Sequence, residues 1–208
     1  MARIEAVIFD IGNVLLHWDP DGFYDRAIGA DRRAQLFSDV DLGAMNARVD
    51  MGESFAELVE ETALANPAWA AEVRMWRDRW IEMAQPEIAP SVALLTALKA
   101  RGVPVFALSN FGVESFAVAV RRYPWLDLFD RRYLSGHLRV MKPDPAIYRI
   151  VEEDCGIEPG ALLFTDDKPA NVEAAVARGW QGHLFEGSEG LARRLVAEGL
   201  LSAEEVVA

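Results

Sequence analysis

Cysteine is nearly absent: Cys155 is the only one in 208 residues, so no intramolecular disulfide can staple this chain and a packed core must hold it together. With no partner for redox chemistry, that thiol reads as a packing residue at a helix end. The N-terminus runs almost directly into an apolar strand, with no charged-then-apolar leader, and the expectation is a reducing, cytoplasmic compartment. Positive charge is scarce too. Lys and Arg number 21 against 33 Asp and Glu, a formal net charge of −12, so the surface repels polyanions and has no basic run with which to release counterions from DNA. No apolar run approaches the roughly 18 residues of a membrane helix. Neither nucleic acid nor membrane is expected as a partner.

What remains is globular composition, 51% hydrophobic and 26% charged, in a length that suits one α/β core plus a modest insertion. Short β-rich apolar runs (Ile4 to Phe9, Val103 to Leu108, Leu162 to Thr165 and, more weakly, Gln181 to Phe185) alternate with segments of helical period. This alternation predicts a doubly wound, mostly parallel α/β sheet covered on both faces. Helix ends are legible. Ser91 to Ala100 stops before Gly102. Pro145 to Asp154 has Asp144 as N-cap, proline at its first position and Gly156 beyond its end; Pro169 to Arg178 repeats that grammar with Gly179.

More than ninety residues separate Asp10 from the next strand, far beyond what one crossover helix needs. The intervening pattern is wholly helical, with a capping box at Ser54 and Glu57 and a final helix from Ala68 to Met83. The expected organisation is a core of residues 1–17 and 88–208 and a small helical cap of residues 18–87, bounded by Pro20, Pro86 and Pro90.

Three strands end in polar residues. Asp10 follows Ala6-Val7-Ile8-Phe9, Ser109 and Asn110 follow Val105 to Leu108, and Asp166 and Asp167 follow Leu162 to Thr165. In an open α/β sheet the carboxyl ends of the strands form the ligand-binding rim. One such aspartate is as well explained by a loop cap; three together point to a site. Lys142, ahead of Pro143-Asp144-Pro145, adds the local positive charge that an acidic protein handling a phosphorylated small molecule requires.

In order and spacing, four segments resemble the haloacid dehalogenase superfamily over nearly the whole chain: Val7-Ile8-Phe9-Asp10-Ile11-Gly12-Asn13-Val14-Leu15, Leu108-Ser109-Asn110, Lys142-Pro143-Asp144-Pro145, and Phe164-Thr165-Asp166-Asp167-Lys168-Pro169-Ala170-Asn171. The resemblance implies an inserted helical cap and a hydrolase acting on a small phosphorylated metabolite, in which Asp10 attacks phosphorus to give an aspartyl-phosphate. It further implies Mg²⁺ held by Asp10, the Gly12 carbonyl and Asp167, with Asp166 acting through water. Ser109, the Asn110 N–H and Lys142 would clamp the phosphoryl oxygens, Asn13 joins the substrate-binding groups, and Asn171 supports the metal shell.

One position departs from the pattern. Many phosphatases of this superfamily carry a second aspartate two residues after the nucleophile, where it protonates the leaving group; here that residue is Gly12, which offers a carbonyl but no proton. A subgroup with the same Asp-x-Gly-Asn-Val wording includes sugar-phosphate phosphatases, so turnover is still expected. His17 is a candidate replacement, weighed against a plain position at the cap hinge. In the cap, Trp69, Val73, Trp76, Trp80 and Met83 form an apolar stripe that reads as packing, unless one tryptophan faces the entrance. Arg48 reads as a solvated charge or as a contact for a substrate anion. Two rival functions stand beside the phosphatase. One is a metal-independent 2-haloacid dehalogenase, disfavoured because Asp166 and Asp167 beside Asp10 need a cation between them; the other is a non-catalytic phosphate- and metal-binding protein.

Overall fold

The computed structural model describes residues 2–206. Five strands, β1 (Ala6–Phe9), β2 (Val105–Ser109), β3 (Arg131–Leu134), β4 (Leu162–Asp166) and β5 (Gln181–Leu184), form one sheet in the order β3-β2-β1-β4-β5. Every pairing is parallel, with Phe9 opposite both Ala107 and Thr165, Ser109 opposite Leu134, and Asp166 opposite Leu184. The expectation of a mostly parallel α/β sheet is met. Side chains alternate between the faces. Val7, Phe9, Val105, Ala107 and Leu163 belong to one core cluster; Ala6, Ile8, Phe106, Leu108, Leu162 and Phe164 belong to the other. Burial on both faces explains why these strands read as continuous apolar runs.

Strand β3 has no counterpart in the expected set. It is an edge strand of sequence Arg-Arg-Tyr-Leu, and charge on a sheet edge blocks further pairing while erasing the apolar signature of a strand.

The insertion between β1 and β2 contributes α1 (Pro20–Ile28), α2 (Ala30–Asp39), α3 (Leu42–Asp50), α4 (Phe55–Ala65), α5 (Ala70–Asp78) and α6 (Trp80–Met83), before α7 (Ala89–Ala100) returns to the sheet. Its two connections run side by side: the His17 amide donates to the Pro86 carbonyl and the Ile88 amide to the Leu15 carbonyl. The single helix expected over 68–83 is a three-residue 3₁₀ turn, Pro67–Trp69, followed by two helices. The break falls at Arg79, whose backbone (φ −122°, ψ 21°) leaves the helical region. Its guanidinium lies 4.8 Å over the Phe23 ring and bonds Glu82. The Ser54 cap is half a capping box. Its hydroxyl accepts from the Glu57 amide at 3.4 Å, but Glu114 rather than Glu57 receives the neighbouring Phe55 amide.

The remaining helices are α8 (Val113–Arg122), α9 (Ser135–Leu138), α10 (Pro145–Cys155), α11 (Pro169–Ala177) and α12 (Ser188–Ala197). The signals read at α10 operate as expected: the Asp144 side chain accepts from the Ala146 amide, and Gly156 takes φ +67° to close the helix. Among the described residues, no helix is long and apolar enough to cross a membrane.

Candidate active site

The order β3-β2-β1-β4-β5 reverses direction at β1, and the carboxyl ends of β2, β1 and β4 therefore present Ser109, Asp10 and Asp166 side by side. Asp10 is 7% exposed. Its Oδ1 accepts from the Ile11 amide at 2.7 Å and from Ser109 Oγ at 2.6 Å, and lies 3.0 Å from Lys142 Nζ. With one oxygen fixed by three donors, the plane of the carboxylate is set.

Lys142 is buried, and its ammonium also donates to Asp166 Oδ2 at 2.6 Å and to the Leu108 carbonyl at 2.8 Å. Its backbone exchanges two hydrogen bonds with the Asn110 side chain, which donates to the Lys142 carbonyl at 3.0 Å and accepts from the Lys142 amide at 2.8 Å. Burial alone would push the lysine down, but the Asp10 and Asp166 carboxylates outweigh it and hold the pKa above the ordinary value. The ammonium thus stays charged at neutral pH. The Asp10 pKa is raised as well: burial raises it most, Lys142 lowers it and Asp166 raises it again.

Asp166 is fully engaged. Its oxygens take the Lys142 ammonium, the Lys168 amide at 2.8 Å and two contacts from Asn171 Nδ2 at 2.9 and 3.0 Å. Asn171 is fixed in turn, its carbonyl accepting from the Tyr148 hydroxyl at 2.9 Å. Asn171, expected to support the metal shell, braces Asp166. Asn13 adopts φ +56°, a left-handed conformation that Asn tolerates better than most residues. From there its Oδ1 accepts from the Trp18 amide at 3.0 Å and its Nδ2 reaches Asp167 Oδ2 at 3.3 Å.

Asp10, Asp166 and Asp167 each place a carboxylate oxygen within 4.8 Å of the others. These carboxylates outnumber the one buried ammonium beside them, and the carbonyl of Gly12, two residues after Asp10, accepts no backbone hydrogen bond among the described residues. An all-oxygen set with surplus negative charge suits a hard divalent cation.

A cavity of about 290 Å³ opens above this cluster. Gly12, Asn13, Ser109, Asn110, Asp167 and Lys168 line its core side; the segment leading into the insertion and the insertion itself supply Trp18, Asn46, Asp50 and Trp80. Trp80 is both a packing residue, with its ring 5.7 Å from Trp18 and 5.5 Å from Phe111, and part of the wall. Trp76, Val73 and Met83 are buried packing residues. His17 is exposed and outside the cavity lining. Arg48 is bound by Glu53 at 2.6 Å and faces Glu61 at 3.4 Å, also away from the cavity. Asp50, Asn46, Trp18 and Phe111 have no signature in the local sequence pattern. They reach the wall only through the docking of α3 and the insertion's first connection on the sheet rim.

The fold and the strand-end carboxylates define a hydrolase scaffold of a known kind. The chain belongs to the haloacid dehalogenase-like hydrolase family, whose sequence model matches residues 4–179. Among curated relatives, a sesquiterpene phosphatase from Aspergillus oryzae is 28% identical over 189 residues, covering 88% of this chain and 90% of the relative. Two solved structures share the fold. One is a HAD family enzyme from Bacteroides thetaiotaomicron in complex with magnesium and inorganic phosphate (23% identity, 86% and 93% of the two chains, TM-score 0.68). The other is the L-2-haloacid dehalogenase of Xanthobacter autotrophicus (23% identity, 98% and 86%, TM-score 0.62).

Proposed function

We propose that the protein is a Mg²⁺-dependent phosphohydrolase that cleaves a small phosphate monoester through an aspartyl-phosphate on Asp10. The observation that carries this reading is the convergence of Asp10, Asp166 and Asp167 within 4.8 Å around a buried lysine. A dehalogenase has no use for three clustered carboxylates; a cation joining them to a phosphate does. Asp10, Asp167 and the Gly12 carbonyl would hold the metal, with Asp166 behind them. When bound, Mg²⁺ supplies charge neutralisation between the carboxylates and the phosphate.

The residues of the chain do the rest. Asp10 attacks phosphorus from a fixed orientation, and forming the Asp10–phosphorus bond releases the alcohol. Lys142 and the Ser109 hydroxyl sit beside that carboxylate and stabilise the negative charge spread over the transferring oxygens, together with the Asn110 amide. Asn13 steadies Asp167, and Asn171 steadies Asp166. The insertion, residues 18–87, acts as the cap over the core of residues 1–17 and 88–208. The reducing cytoplasmic setting belongs to the same proposal and rests on the lone Cys155.

A sugar phosphate fits the polar part of the wall. A second reading, an ester of a more apolar alcohol, is favoured by Trp18, Trp80 and Phe111 around the cavity and by the likeness to a sesquiterpene phosphatase. The test is phosphate release from a panel of sugar, alkyl and prenyl monoesters, with and without Mg²⁺, for the wild type and Asp10→Asn. Release should require the metal and fall by roughly 10⁴-fold or more in the variant. Metal-independent halide release from 2-chloropropionate would establish the dehalogenase instead, and Mg²⁺ binding with no release from any ester would establish a binding protein.

A further inference from the structure

With Gly12 where a proton donor is expected, the nucleophile loop carries no group able to protonate a leaving alkoxide. The opposite wall of the cavity does. Asp50 is the last residue of α3 and lines the cavity together with Gly12, Ser109 and Asp167. Its Oδ2 accepts from Asn46 Nδ2 at 2.9 Å, one turn back along the helix.

The end of α3 is seated on the core. Ser135 Oγ donates to the Asp50 carbonyl at 2.6 Å while accepting the Phe111 amide at 2.9 Å, which ties Asp50 to the loops that follow β2 and β3. Two glycines permit the approach. A Cβ at Gly112 would come within 2.6 Å of Val49 Cγ1; one at Gly52, which sits at φ +86°, would collide with the Gly136 carbonyl. The chain has thus removed side chains at the places where they would lift Asp50 off the rim that carries Ser109 and Asn110.

We propose that Asp50 is the catalytic acid and base of this phosphohydrolase, supplied by the insertion in place of the residue missing at Gly12. As Asp10 bonds to phosphorus and the phosphorus–oxygen bond of the ester breaks, the Asp50 carboxyl gives its proton to the departing oxygen. In the second half the Asp50 carboxylate takes a proton from water, whose oxygen bonds to phosphorus as the bond to Asp10 breaks. Inorganic phosphate leaves and both aspartates return to their starting states. The surroundings suit that task. Burial pushes the Asp50 carboxyl up to about 7; the Gly112 amide and the Lys168 charge pull it down, and the Asp10 charge adds to the rise. The proposal rests on the phosphohydrolase reading.

The test compares full-length wild type and Asp50→Asn, with Mg²⁺, on two esters: p-nitrophenyl phosphate, whose leaving group needs no proton, and an alkyl phosphate, whose leaving group does. Asn in place of Asp keeps the shape and removes a desolvated charge. Asp50→Ser, polar and smaller, repeats the measurement in a second background. The expected result is a fall in kcat of about 10²- to 10⁴-fold on the alkyl ester, a much smaller effect on phosphorylation of Asp10 by p-nitrophenyl phosphate, and accumulation of acid-quenched aspartyl-phosphate. Adding Gly12→Asp, whose Cβ would meet only Trp18 Cβ at 4.0 Å, should recover at least tenfold of the loss, roughly 1.4 kcal/mol of barrier. An equal loss in the rate of Asp10 phosphorylation by both esters, or a higher KM with kcat unchanged, overturns the role of Asp50. Wild-type turnover that Asp50→Asn matches overturns it alone, whereas a wild type that releases no phosphate overturns the phosphohydrolase reading and this proposal with it.

Discussion

Replacing Lys142 by Met separates the electrostatic part of this site from its chemistry. The side chain is 1% exposed and sits 3.0 Å from Asp10 and 2.6 Å from Asp166. Methionine fills a similar volume but takes the ammonium away from both carboxylates and from the Leu108 carbonyl. Removing one partner of a buried ion pair costs about 3–5 kcal/mol, because the other charge stays desolvated. In a chain of this size each kcal/mol moves Tm by about 2–4 °C, so the metal-free variant should melt roughly 6–20 °C below wild type at pH 7.5. The deficit has a pH signature. Asp10 already has a raised pKa in the folded state; without the lysine it takes up a proton more readily, and the difference from wild type should shrink at pH 5. Mg²⁺ should shrink it as well, by binding the folded state only. Scanning calorimetry at both pH values, with EDTA or with Mg²⁺, reads all four conditions. A metal-free variant melting within about 2 °C of wild type at pH 7.5 would refute the claim that the carboxylates depend on Lys142 for compensation.

Three further outcomes are expected. Asp50 ionises near its usual 3.8 when unfolded and near 7 when folded, so the folded state holds an extra proton between these values and stability falls as pH rises through that window. Asp50→Asn should therefore raise the metal-free Tm at pH 8 and leave it unchanged below pH 4, and a uniform shift would contradict the assignment. Asn13 stands at φ +56°, where an alanine is strained by about 1–2 kcal/mol and a glycine is not; both lose the Trp18 and Asp167 contacts, so Asn13→Ala should melt below Asn13→Gly, and equal denaturant midpoints would count against the strain. Trp18→Ala removes a half-buried part of the cavity wall and should raise KM for an apolar alkyl phosphate by roughly tenfold, while the inhibition constant of inorganic phosphate holds; no change in either would place the alcohol elsewhere.

The legibility of the fold followed burial. Strands β1, β2 and β4 sit in the middle of the sheet with both faces covered, so they appear as unbroken apolar runs and their ends point directly to Asp10, Ser109 and Asp166. The edge strand β3 has charged residues in half of its four positions and looks like a loop. The same logic accounts for the helix drawn too long over 68–83. An apolar stripe of Trp76, Trp80 and Met83 continues across Arg79 because all three residues are buried, but continuity of burial does not require continuity of the helix. Arg79 breaks the backbone where its guanidinium meets Phe23 and Glu82, partners distant in sequence or invisible to a helical period.

The candidate site divides along a similar line. Residues at strand ends are legible because sheet topology alone brings them together: Asp10, Ser109 and Asp166 are 99 and 156 positions apart in sequence from the first to each of the others, yet adjacent strands carry them. Asp50 belongs to a different class. Its local setting, Arg48-Val49-Asp50-Met51, is that of any helix end, and its importance comes from α3 landing on Gly112 and Ser135. The one sequence clue was an absence, the missing carboxylate at Gly12. A reaction that still needs a proton must draw it from outside the nucleophile loop, and Asp50 is the carboxyl group that the insertion brings to the cavity lining. If proton transfer does reside on Asp50, any motion that lifts α3 from the Gly112 and Ser135 loops removes the acid as it opens the site. Closure of the insertion and competence for phosphoryl transfer would then be one event, and phosphorylation of Asp10 by an alkyl ester should depend on closure more steeply than phosphorylation by p-nitrophenyl phosphate, whose leaving group needs no proton from Asp50.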